Sequence, residues 1–593
     1  MAYCQGSVIV GVRERRPSLT QLDTMAEVEE RIVMTPKGKT ATSTTIMVER
    51  RKIVSQEGNV HVGGGQHSGI VINKDTRTED LEDTQAHLQL EFKVFLVNAQ
   101  TQKHTQESRQ LRFWFQSCVP EKERIRGAQE FFKELVAPLE FPRDYVGFIK
   151  KIMKMMQHKY KMLSKTEVEL RQLDESEKPP TRPMEDQKAE LSEEKVLEMI
   201  ESSYPNPITV HDMAKRASAS LEDVELFIAA LTQKGLIKPM APGCFTRVVQ
   251  NETDVKVVRQ MPTITTNKQP TIAIITAHYS EKLAVDTMIE NQETFVRYTT
   301  VGGTYGESNI YTLGNIGAHR VVCTKLPTVG HDRSASIAAG NTTTRLLGTF
   351  QKVDHVFLIG TAGGVPQYTD YNKHVRLGDV VVSAPPSGQK FIYMYCDSAK
   401  TLESGSYEFE TKSWGPPDLS LQNIAYQLKQ QGEEKGGLTP WIHYMTEGNN
   451  KLSAQEMDFS RPNEDTDKLY MSIGGSDVIE VSHPLPPDGS ENIRDPTKPR
   501  IHLGVIAAGR CVVGNDQMRQ DFASQLSVVA YDQEFDAVIE SVYGNRKDQY
   551  VLIRGICDYQ DGTRNKDWQP YAALAAAAFM KAIICGMEPP LDD

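Results

Sequence analysis

Hydrophobic positions in the first part of the chain follow two different periods. Apolar residues alternate with polar ones at Leu88–Leu96 and again at Leu111–Phe115, which predicts half-buried strands of a small antiparallel sheet. Over residues 145–170 the apolar positions recur at helical spacing, and this predicts an amphipathic helix with lysines on its polar side. We therefore expect residues 1–40 to be mostly disordered, and residues 41–173 to form a β-rich region with a C-terminal helix.

A second unit follows a linker. Residues 174–190 contain paired prolines and mixed charge, as linkers do. Residues 191–250 show three helical segments and then a hairpin, an order typical of a winged-helix domain. Its third helix begins with Glu222, Asp223 and Glu225, whose carboxylates oppose contact with phosphates. We therefore expect a structural or protein-binding role, and DNA binding is not expected.

The pattern changes again after a polar connector at residues 251–270. From Thr271 onward, short continuous apolar runs alternate with helical segments, which predicts a mixed sheet covered by helices, with ligands at the C-terminal strand ends. We expect every strand of this sheet to come from residues 271–587. This region should therefore fold without the N-terminal 250 residues, and the connector should carry few contacts.

Composition and charge exclude several classes of protein. The chain is 39% hydrophobic and 24% charged, with 67 basic and 78 acidic residues and a net charge of −11, so it does not attract polyanions as a whole. The eight cysteines are scattered without a Cys-x-x-Cys pair, and neither a metal nor a cofactor is predicted. No apolar run approaches the ~18 residues of a membrane span. The N-terminus lacks a secretion pattern, so we expect a cytoplasmic or nuclear protein with no membrane association.

Small residues and carboxylates follow several of the apolar runs. Thr361-Ala362-Gly363-Gly364 comes after one of them, and a loop poor in side chains lets a ligand approach the backbone closely. Glu281 and Asp558 come after two others. An acid in this position is either a structural ion-pair partner or a catalytic group, and each motif alone leaves both interpretations open.

Together, the motifs of residues 271–587 resemble the purine nucleoside phosphorylase/uridine phosphorylase superfamily. The resemblance is greatest to its hydrolytic branch, the methylthioadenosine/S-adenosylhomocysteine nucleosidases, and to nucleosidase domains of multidomain immune-type proteins in fungi and bacteria. The matching pieces are the first strand with Glu281, Ile359–Gly364, Arg376–Ser383, Tyr531–Glu534 and Arg554–Asp558. The resemblance implies an α/β fold, a three-layer α/β/α catalytic domain, beside the winged-helix domain and a small N-terminal α+β domain.

The resemblance also implies roles for individual residues. Asp558 matches the acid that protonates N7 of the leaving purine, Glu281 the base that deprotonates the attacking water, and Glu534 the carboxylate that holds the ribose hydroxyls. The expected substrate contacts are Thr361, Gly363, Val512, Val513, Gln533, Asn565 and, as an aromatic of the base pocket, Trp568. His331 and Arg333, with Lys325 nearby, either contact a 5′-phosphate or are ordinary surface charges.

Departures from the family pattern bear on the reaction. Gln533 stands where the bacterial nucleosidases have Met, so the sugar face is expected to be more polar. Leu358 stands where the phosphorylases have a phosphate-binding Arg, and their second phosphate-binding Arg has no match around Ser280, so water is favoured over phosphate as the nucleophile. The polar segment 398–499 is longer than in the compact nucleosidases, and we expect it to form a cap or a subunit contact over the pocket.

The leading hypothesis is a purine N-glycosidase that hydrolyses an adenine nucleoside or nucleotide, possibly ATP, to the free base and ribose or ribose phosphate. Its N-terminal domains would regulate it. The alternatives are a nucleoside phosphorylase and a non-catalytic nucleoside-binding sensor or scaffold. A homo-oligomer is expected because superfamily members commonly form one, and a protein partner is expected at the winged-helix or N-terminal region.

Overall fold

The computed structural model describes most of the chain, and everything below concerns these residues. The described ranges are 29–53, 60–62, 70–73, 85–97, 104–142, 144–173, 191–248, 255–258, 261, 269–297, 309–327, 333–402, 406–434, 436–474, 477–487, 490, 493–533, 535–562 and 564–590. The linker 174–190 and the larger part of the connector 251–270 lie outside them. Glu534 and His331 do too, as does the side chain of Arg333.

An antiparallel-rich sheet with two helices forms the N-terminal domain. Its strands are β1 (Glu29–Lys39), β2 (Ser43–Ile53), β3 (Val60–Val62), β4 (Ile70–Asn73), β5 (Leu88–Val97), β6 (His104–Phe115) and β7 (Leu163–Leu173). The helices α1 (Glu121–Leu135) and α2 (Tyr145–His158) pack on it. Alternate residues of β5 and β6 face the helices, so that Phe92 and Phe113 are buried together with Phe131 and Phe132 of α1.

Two N-terminal predictions were wrong in part. Residues 29–39, expected to be disordered, form β1, which pairs with β2 from Glu29 to Lys39. The helix expected over residues 145–170 ends at His158, and β7 follows it, between β6 and β2. Strand β7 depends on partners far along the chain, β2 and β6. Strand β1 pairs with the next strand, β2, but its short apolar cluster carries no clear local period.

The winged-helix domain has the predicted order of elements. It contains α3 (Glu193–Ser203), β8 (Ile208–Thr209), α4 (Val210–Ala217), α5 (Leu221–Gln233), β9 (Ile237–Ala241) and β10 (Cys244–Arg247). Side chains of Ser192, Thr209 and Ser220 accept a backbone N–H at the start of the three helices, as N-capping requires. The apolar faces of the helices meet in a small core around Val196 and Leu231.

A mixed sheet forms the C-terminal region. Its strands, in spatial order, are β11 (Val255–Val257), β13 (Glu290–Arg297), β14 (Asn309–Ile316), β15 (His319–Lys325), β12 (Ile272–Thr276), β16 (His355–Gly364), β24 (Gln549–Asp558), β17 (Val380–Ser383), β22 (Ile501–Ala508), β18 (Tyr393–Thr401) and β19 (Tyr407–Trp414), while β23 (Val528–Tyr531) pairs with β16 and β22. At its centre β15, β12, β16 and β24 are parallel. Their carboxyl ends therefore meet at one edge of the sheet.

Helices cover this sheet. They are α6 (Tyr279–Met288), α7 (Arg333–Thr349), α8 (Ser420–Glu433), α9 (Pro440–Leu452), α10 (Arg510–Val513), α11 (Asp516–Leu526), α12 (Asp536–Gly544) and α13 (Trp568–Cys585). Helix α13 is buried from Trp568 to Ile584, and its alanines let it pack closely against β24, α6 and α9. The fold is thus mixed α/β, as predicted, and the three-layer arrangement stays a prediction.

The C-terminal region is not confined to residues 271–587. Strands β20 (Leu469–Gly474) and β21 (Asp477–Val481) arise inside the predicted insertion and extend the N-terminal sheet, where Ile479 pairs with Val94 of β5. Strand β11, from the predicted connector, pairs with β13. The expectation that the strands of this region pair only within residues 271–587 was therefore wrong, and independent folding of the region stays a prediction. Strand β21 pairs with a strand more than 370 residues away, which no local pattern reveals.

Candidate functional site

The carboxylate of Glu281 lies where β12 gives way to α6. Its Oε2 accepts the backbone N–H groups of Ala277 (2.8 Å) and His278 (2.9 Å). Its Oε1 accepts the N–H of Thr361 (2.8 Å) and the Thr361 hydroxyl (3.1 Å). The side chain is only 1% exposed. Four donors from two neighbouring strand ends thus fix the position of one buried carboxylate.

Glycine at position 360 makes this close approach possible. A Cβ added at Gly360 would lie 2.8 Å from Oε1 of Glu281 and 3.0 Å from its Cδ, closer than nonbonded atoms tolerate. The glycine before Thr361 therefore serves the close approach of the acid from the neighbouring strand.

Glu281 is held in its ionised form. Burial raises the pKa of Glu281, but the nearby His278 imidazole, the donated N–H groups and the Arg554 guanidinium outweigh it and lower the pKa below its usual value. Burial lowers the pKa of His278, with Lys566 and Lys325 adding to the effect. The carboxylate of Glu281 is therefore ionised near neutral pH, the charge state that a general base needs.

His278 also joins Glu281 to the segment that follows β23. Its Nε2 lies 3.0 Å from Oε1 of Gln533, and because an amide oxygen only accepts, the imidazole proton lies on Nε2. This contact brings Gln533, predicted to bind substrate, to the Glu281 site. Its neighbour Glu534 is outside the described residues.

A buried ion pair positions that segment. The Arg554 guanidinium, almost fully buried, donates to Asp532 Oδ2 from Nε (3.1 Å) and Nη2 (2.9 Å), and from Nη1 to the Leu358 carbonyl (3.0 Å). The Tyr393 hydroxyl donates to Asp532 Oδ1 (2.9 Å) and accepts the N–H of Phe535 (3.0 Å). Burial raises the pKa of Asp532 to about 6 despite the guanidinium. Asp532 and Phe535, which flank Gln533 and Glu534, are thereby fixed to the sheet.

Asp558, at the end of β24, is tied to its own loop. Its Oδ1 accepts the N–H groups of Gln560 (2.8 Å), Asp561 (3.1 Å) and Gly562 (2.9 Å), and its Oδ2 accepts that of Arg564 (2.7 Å). Burial, and then the charge of Asp561, raise the pKa of Asp558 in spite of these donors. The carboxyl group is thus the anchor of this loop, and it binds a proton more readily than an ordinary aspartate does.

The Asp558 loop lies directly on the end of β16. Gly363 is paired with Asp558 across the two strands, and a Cβ added at Gly363 would lie 2.3 Å from the Gln560 carbonyl carbon and 2.6 Å from Asp558 Oδ1. Only glycine fits between strand and loop. The structure therefore brings together Glu281, Thr361, Gln533, Gly363 and Asp558, five of the residues predicted from the sequence.

Other predicted contacts lie in different surroundings. Trp568 is fully buried, donates from its indole N–H to the Thr466 hydroxyl (2.9 Å), and packs against Tyr571 and Arg461. Val512 and Val513, on α10, are buried in a separate cluster. Their roles at the base stay predictions. Asn565 has a left-handed φ of 46°, a conformation that asparagine tolerates better than most residues.

The suggestion that Lys325 neutralises a 5′-phosphate was wrong. Its ammonium, 1% exposed, donates to the carbonyls of Ser202 (2.9 Å), Tyr204 (3.0 Å) and Leu326 (3.0 Å). Three carbonyls from α3 and β15 occupy its donors, so this charge serves the contact between two domains.

His278 and Arg554 are the site residues that sequence reasoning missed. His278 stands three positions before Glu281, a capping position, and this spacing was its signal. In the part of the chain that the structure describes, no cluster of histidine, cysteine and acidic side chains has the arrangement of a metal site. Within the same ranges, no helix is both long and apolar enough to cross a bilayer.

Comparisons with known proteins agree with parts of this picture. The family of winged helix-turn-helix domains matches residues 183–249, which confirms the winged-helix prediction. A nucleotide-binding leucine-rich repeat (NLR)-like protein of Hyaloscypha variabilis is 30% identical over 294 residues, 48% of this chain. The matched part spans about a quarter (26%) of that relative.

Solved structures similar to this chain include nucleosidases. The 5′-methylthioadenosine/S-adenosylhomocysteine nucleosidase of Neisseria meningitidis is 15% identical and is covered over its whole length by 54% of this chain, with a TM-score of 0.32. The futalosine hydrolase of Helicobacter pylori is 14% identical, with 53% of this chain covering 97% of it and a TM-score of 0.32.

Proposed function

We propose that the chain is a purine N-glycosidase that hydrolyses an adenine nucleoside or an adenine nucleotide such as ATP to free base and ribose or ribose phosphate. One observation carries this proposal. The Glu281 carboxylate is buried, ionised and fixed by four donors at adjoining strand ends, as a base that orients water must be.

The base step uses the weakest of these four contacts. The Thr361 hydroxyl lies 3.1 Å from Oε1 of Glu281, farther than the three backbone N–H donors. A hydroxyl can rotate toward a substrate oxygen, which leaves Oε1 free to accept a proton from water. The backbone N–H groups would therefore continue to hold the carboxylate while the Thr361 hydroxyl turns from Glu281 to a substrate oxygen.

The acid step is assigned to Asp558. Because Oδ1 already accepts three N–H groups, we place the transferable proton on Oδ2, directed to N7 of the purine. A protonated purine leaves as a neutral base, which lowers the barrier to breaking the bond to the sugar. The raised pKa of Asp558 favours the protonated form that this step needs.

The sugar would lie between these two groups. We assign Glu534 to the ribose hydroxyls, and Gln533, next to it, to a polar contact with the sugar through its link to His278. The Arg554–Asp532 pair fixes Asp532, the residue before Gln533, to the sheet and has a positioning role. For a nucleotide, Arg333 and His331 remain the proposed contacts to the 5′-phosphate.

A nucleoside-binding sensor is the second candidate, and the Asp558 contacts favour it. A carboxylate that accepts four backbone N–H groups shapes its own loop. That role alone would be enough in a protein that binds a nucleoside without cleaving it. A phosphorylase is the third, but Leu358 occupies the position of the expected phosphate-binding Arg.

The test is to incubate the full chain with ATP, adenosine and methylthioadenosine, with and without phosphate, and to separate the products. Free adenine without phosphate supports the hydrolase, adenine only with phosphate indicates a phosphorylase, and tight binding without adenine indicates a sensor. Glu281→Gln should slow base release by ~10²–10⁴-fold. Glu293→Gln, which removes an exposed carboxylate on β13, is the matched control. Sedimentation of the same sample tests the proposed homo-oligomer.

A further inference from the structure

The winged-helix domain contacts the loop that carries Asp558. Glu198, on α3, accepts a hydrogen bond from the ammonium of Lys566 at 2.6 Å. Lys566 belongs to residues 558–567, the segment between the end of β24 and the start of α13, which we call the acid loop. Both side chains are about half exposed, 57% and 51%, and an ion pair so exposed is easily broken.

The same helix contacts a strand next to the Glu281 strand. Lys325, at the end of β15, donates to the carbonyls of Ser202 and Tyr204 at the C-terminus of α3. The free carbonyls of a helix C-terminus carry partial negative charge, so a cation stabilises this end. The contact is buried, unlike the Glu198 pair, and serves as the fixed point of the interface.

A third contact reaches the first turn of α6. The ring of Tyr204 meets that of Tyr279 edge-on, with 5.6 Å between centroids. Arg247, on β10, lies 5.4 Å above the same Tyr279 ring and bonds to Glu201 (3.0 Å) and Glu456 (2.7 Å). Tyr279 precedes Glu281 by two residues, so the winged-helix domain is docked on both elements that carry the proposed acid and base.

The site enclosed by these contacts is closed. Glu281, Asp558 and Thr361 are 1%, 5% and 6% exposed, and the acid loop lies against Gly363 without space for a methyl group. The ends of β12 and β16 belong to the sheet core, whereas the acid loop is held by hydrogen bonds to Asp558, by the Tyr559–Asp467 contact and by the exposed Lys566–Glu198 pair. Admission of a substrate therefore requires the acid loop to move.

We propose that helix α3 acts as a clamp, which holds the acid loop closed through the ion pair between Glu198 and Lys566. This ion pair must break before a substrate enters. The buried contacts at Lys325 and Tyr279 keep the domain docked while the exposed ion pair opens. The effect on turnover rests on the proposed function, but the effect on the loop does not.

The test is Glu198→Lys in the full chain, with Glu194→Lys as the control. Glu194 is exposed on α3 one turn before Glu198, so the control makes the same charge change away from Lys566. Hydrogen exchange of peptides covering the acid loop should become about two- to fivefold faster in Glu198→Lys than in the control, in line with the small worth of an exposed pair. Release of adenine should rise by a similar factor.

The double variant Glu198→Lys with Lys566→Glu recreates the pair and should return loop exchange to the wild-type rate. Equal exchange in Glu198→Lys and Glu194→Lys would overturn the clamp. So would faster exchange with slower base release, because the contact would then support the site instead of closing it. If wild type and variants release no base from any substrate, the proposed function fails, and loop exchange alone still decides whether α3 holds the loop.

Discussion

The Glu281→Gln variant distinguishes the contribution of this side chain to stability from its contribution to turnover. The carboxylate accepts three backbone N–H groups and one hydroxyl, but an amide offers only one oxygen. With that oxygen toward Ala277 and His278, the amide nitrogen faces the N–H of Thr361. One buried N–H then loses its acceptor, which costs about 1–3 kcal/mol in the free energy of unfolding. We therefore expect a measurable loss of stability without loss of the fold.

The effect on turnover should be larger than the effect on stability. An amide does not accept a proton, and one positioned general base contributes ~10²–10⁴-fold in rate. We expect kcat for base release to fall by that factor, with little change in KM because the amide keeps the shape of the site. A variant that turns over at the wild-type rate would refute Glu281 as the base, whatever its stability.

The pH profile gives an independent check. The pKa of Glu281 lies below its usual value, so the carboxylate stays ionised, and contributes its stability, at and above the unfolded pKa of about 4.3. That contribution disappears only as the pH falls through the folded pKa. The acidic limb of kcat/KM should therefore lie below about 4.3. A limb near 6 would mean that another group is the base.

Three further predictions follow from the same contacts. Asp558→Asn should lower kcat by about two to four orders of magnitude, and it should also speed hydrogen exchange in residues 558–567, because an amide accepts fewer of the four N–H groups; unchanged turnover would contradict its role as acid. Gly360→Ala should lower the free energy of unfolding by about 1–3 kcal/mol, as overpacking does, and should reduce base release because its Cβ meets the Glu281 carboxylate; a silent variant would argue against this close packing. Since burial lowers the pKa of Lys325 to about 7, the unfolded chain binds this proton more tightly, so stability should rise between pH 7 and 10. In urea titrations, the free energy of unfolding should rise less with pH in Lys325→Met than in the wild type. An unaltered slope would mean that other groups cause the rise.

The sequence predicted the acids of the site better than their surroundings. Glu281 and Asp558 each follow a continuous apolar run, and parallel buried strands place their carboxyl ends at one edge, so strand geometry brings the two acids to one edge, while their roles follow only from the resemblance to a family. Thr361 and Gly363 were found in the same way. The donors that fix Glu281, and the four N–H groups that bind Asp558, depend on the three-dimensional course of two loops, which no spacing of residue types encodes.

Errors in the fold have a common physical cause. Leu163 fits both the helical spacing of α2 and the alternation of β7, and only pairing with β2 and β6 decides between them. Strand β21 pairs with β5, and β20 pairs with β21, although both lie in what the sequence presents as a polar insertion. These two errors involve partners far along the chain, where local periodicity carries no information.

These long-range contacts connect the N-terminal regions to the acid loop at a second point. The Tyr559 hydroxyl, next to Asp558, donates to Asp467 Oδ1 (2.6 Å). Asp467 also accepts from Arg376 (2.7 Å) and lies two residues before β20, which extends the N-terminal sheet. Tyr559 itself packs against the core of that sheet. A loop bound at one end by this sheet and at the other by Lys566 and the winged-helix domain differs from a free surface loop, since a shift of either domain changes the position of Asp558.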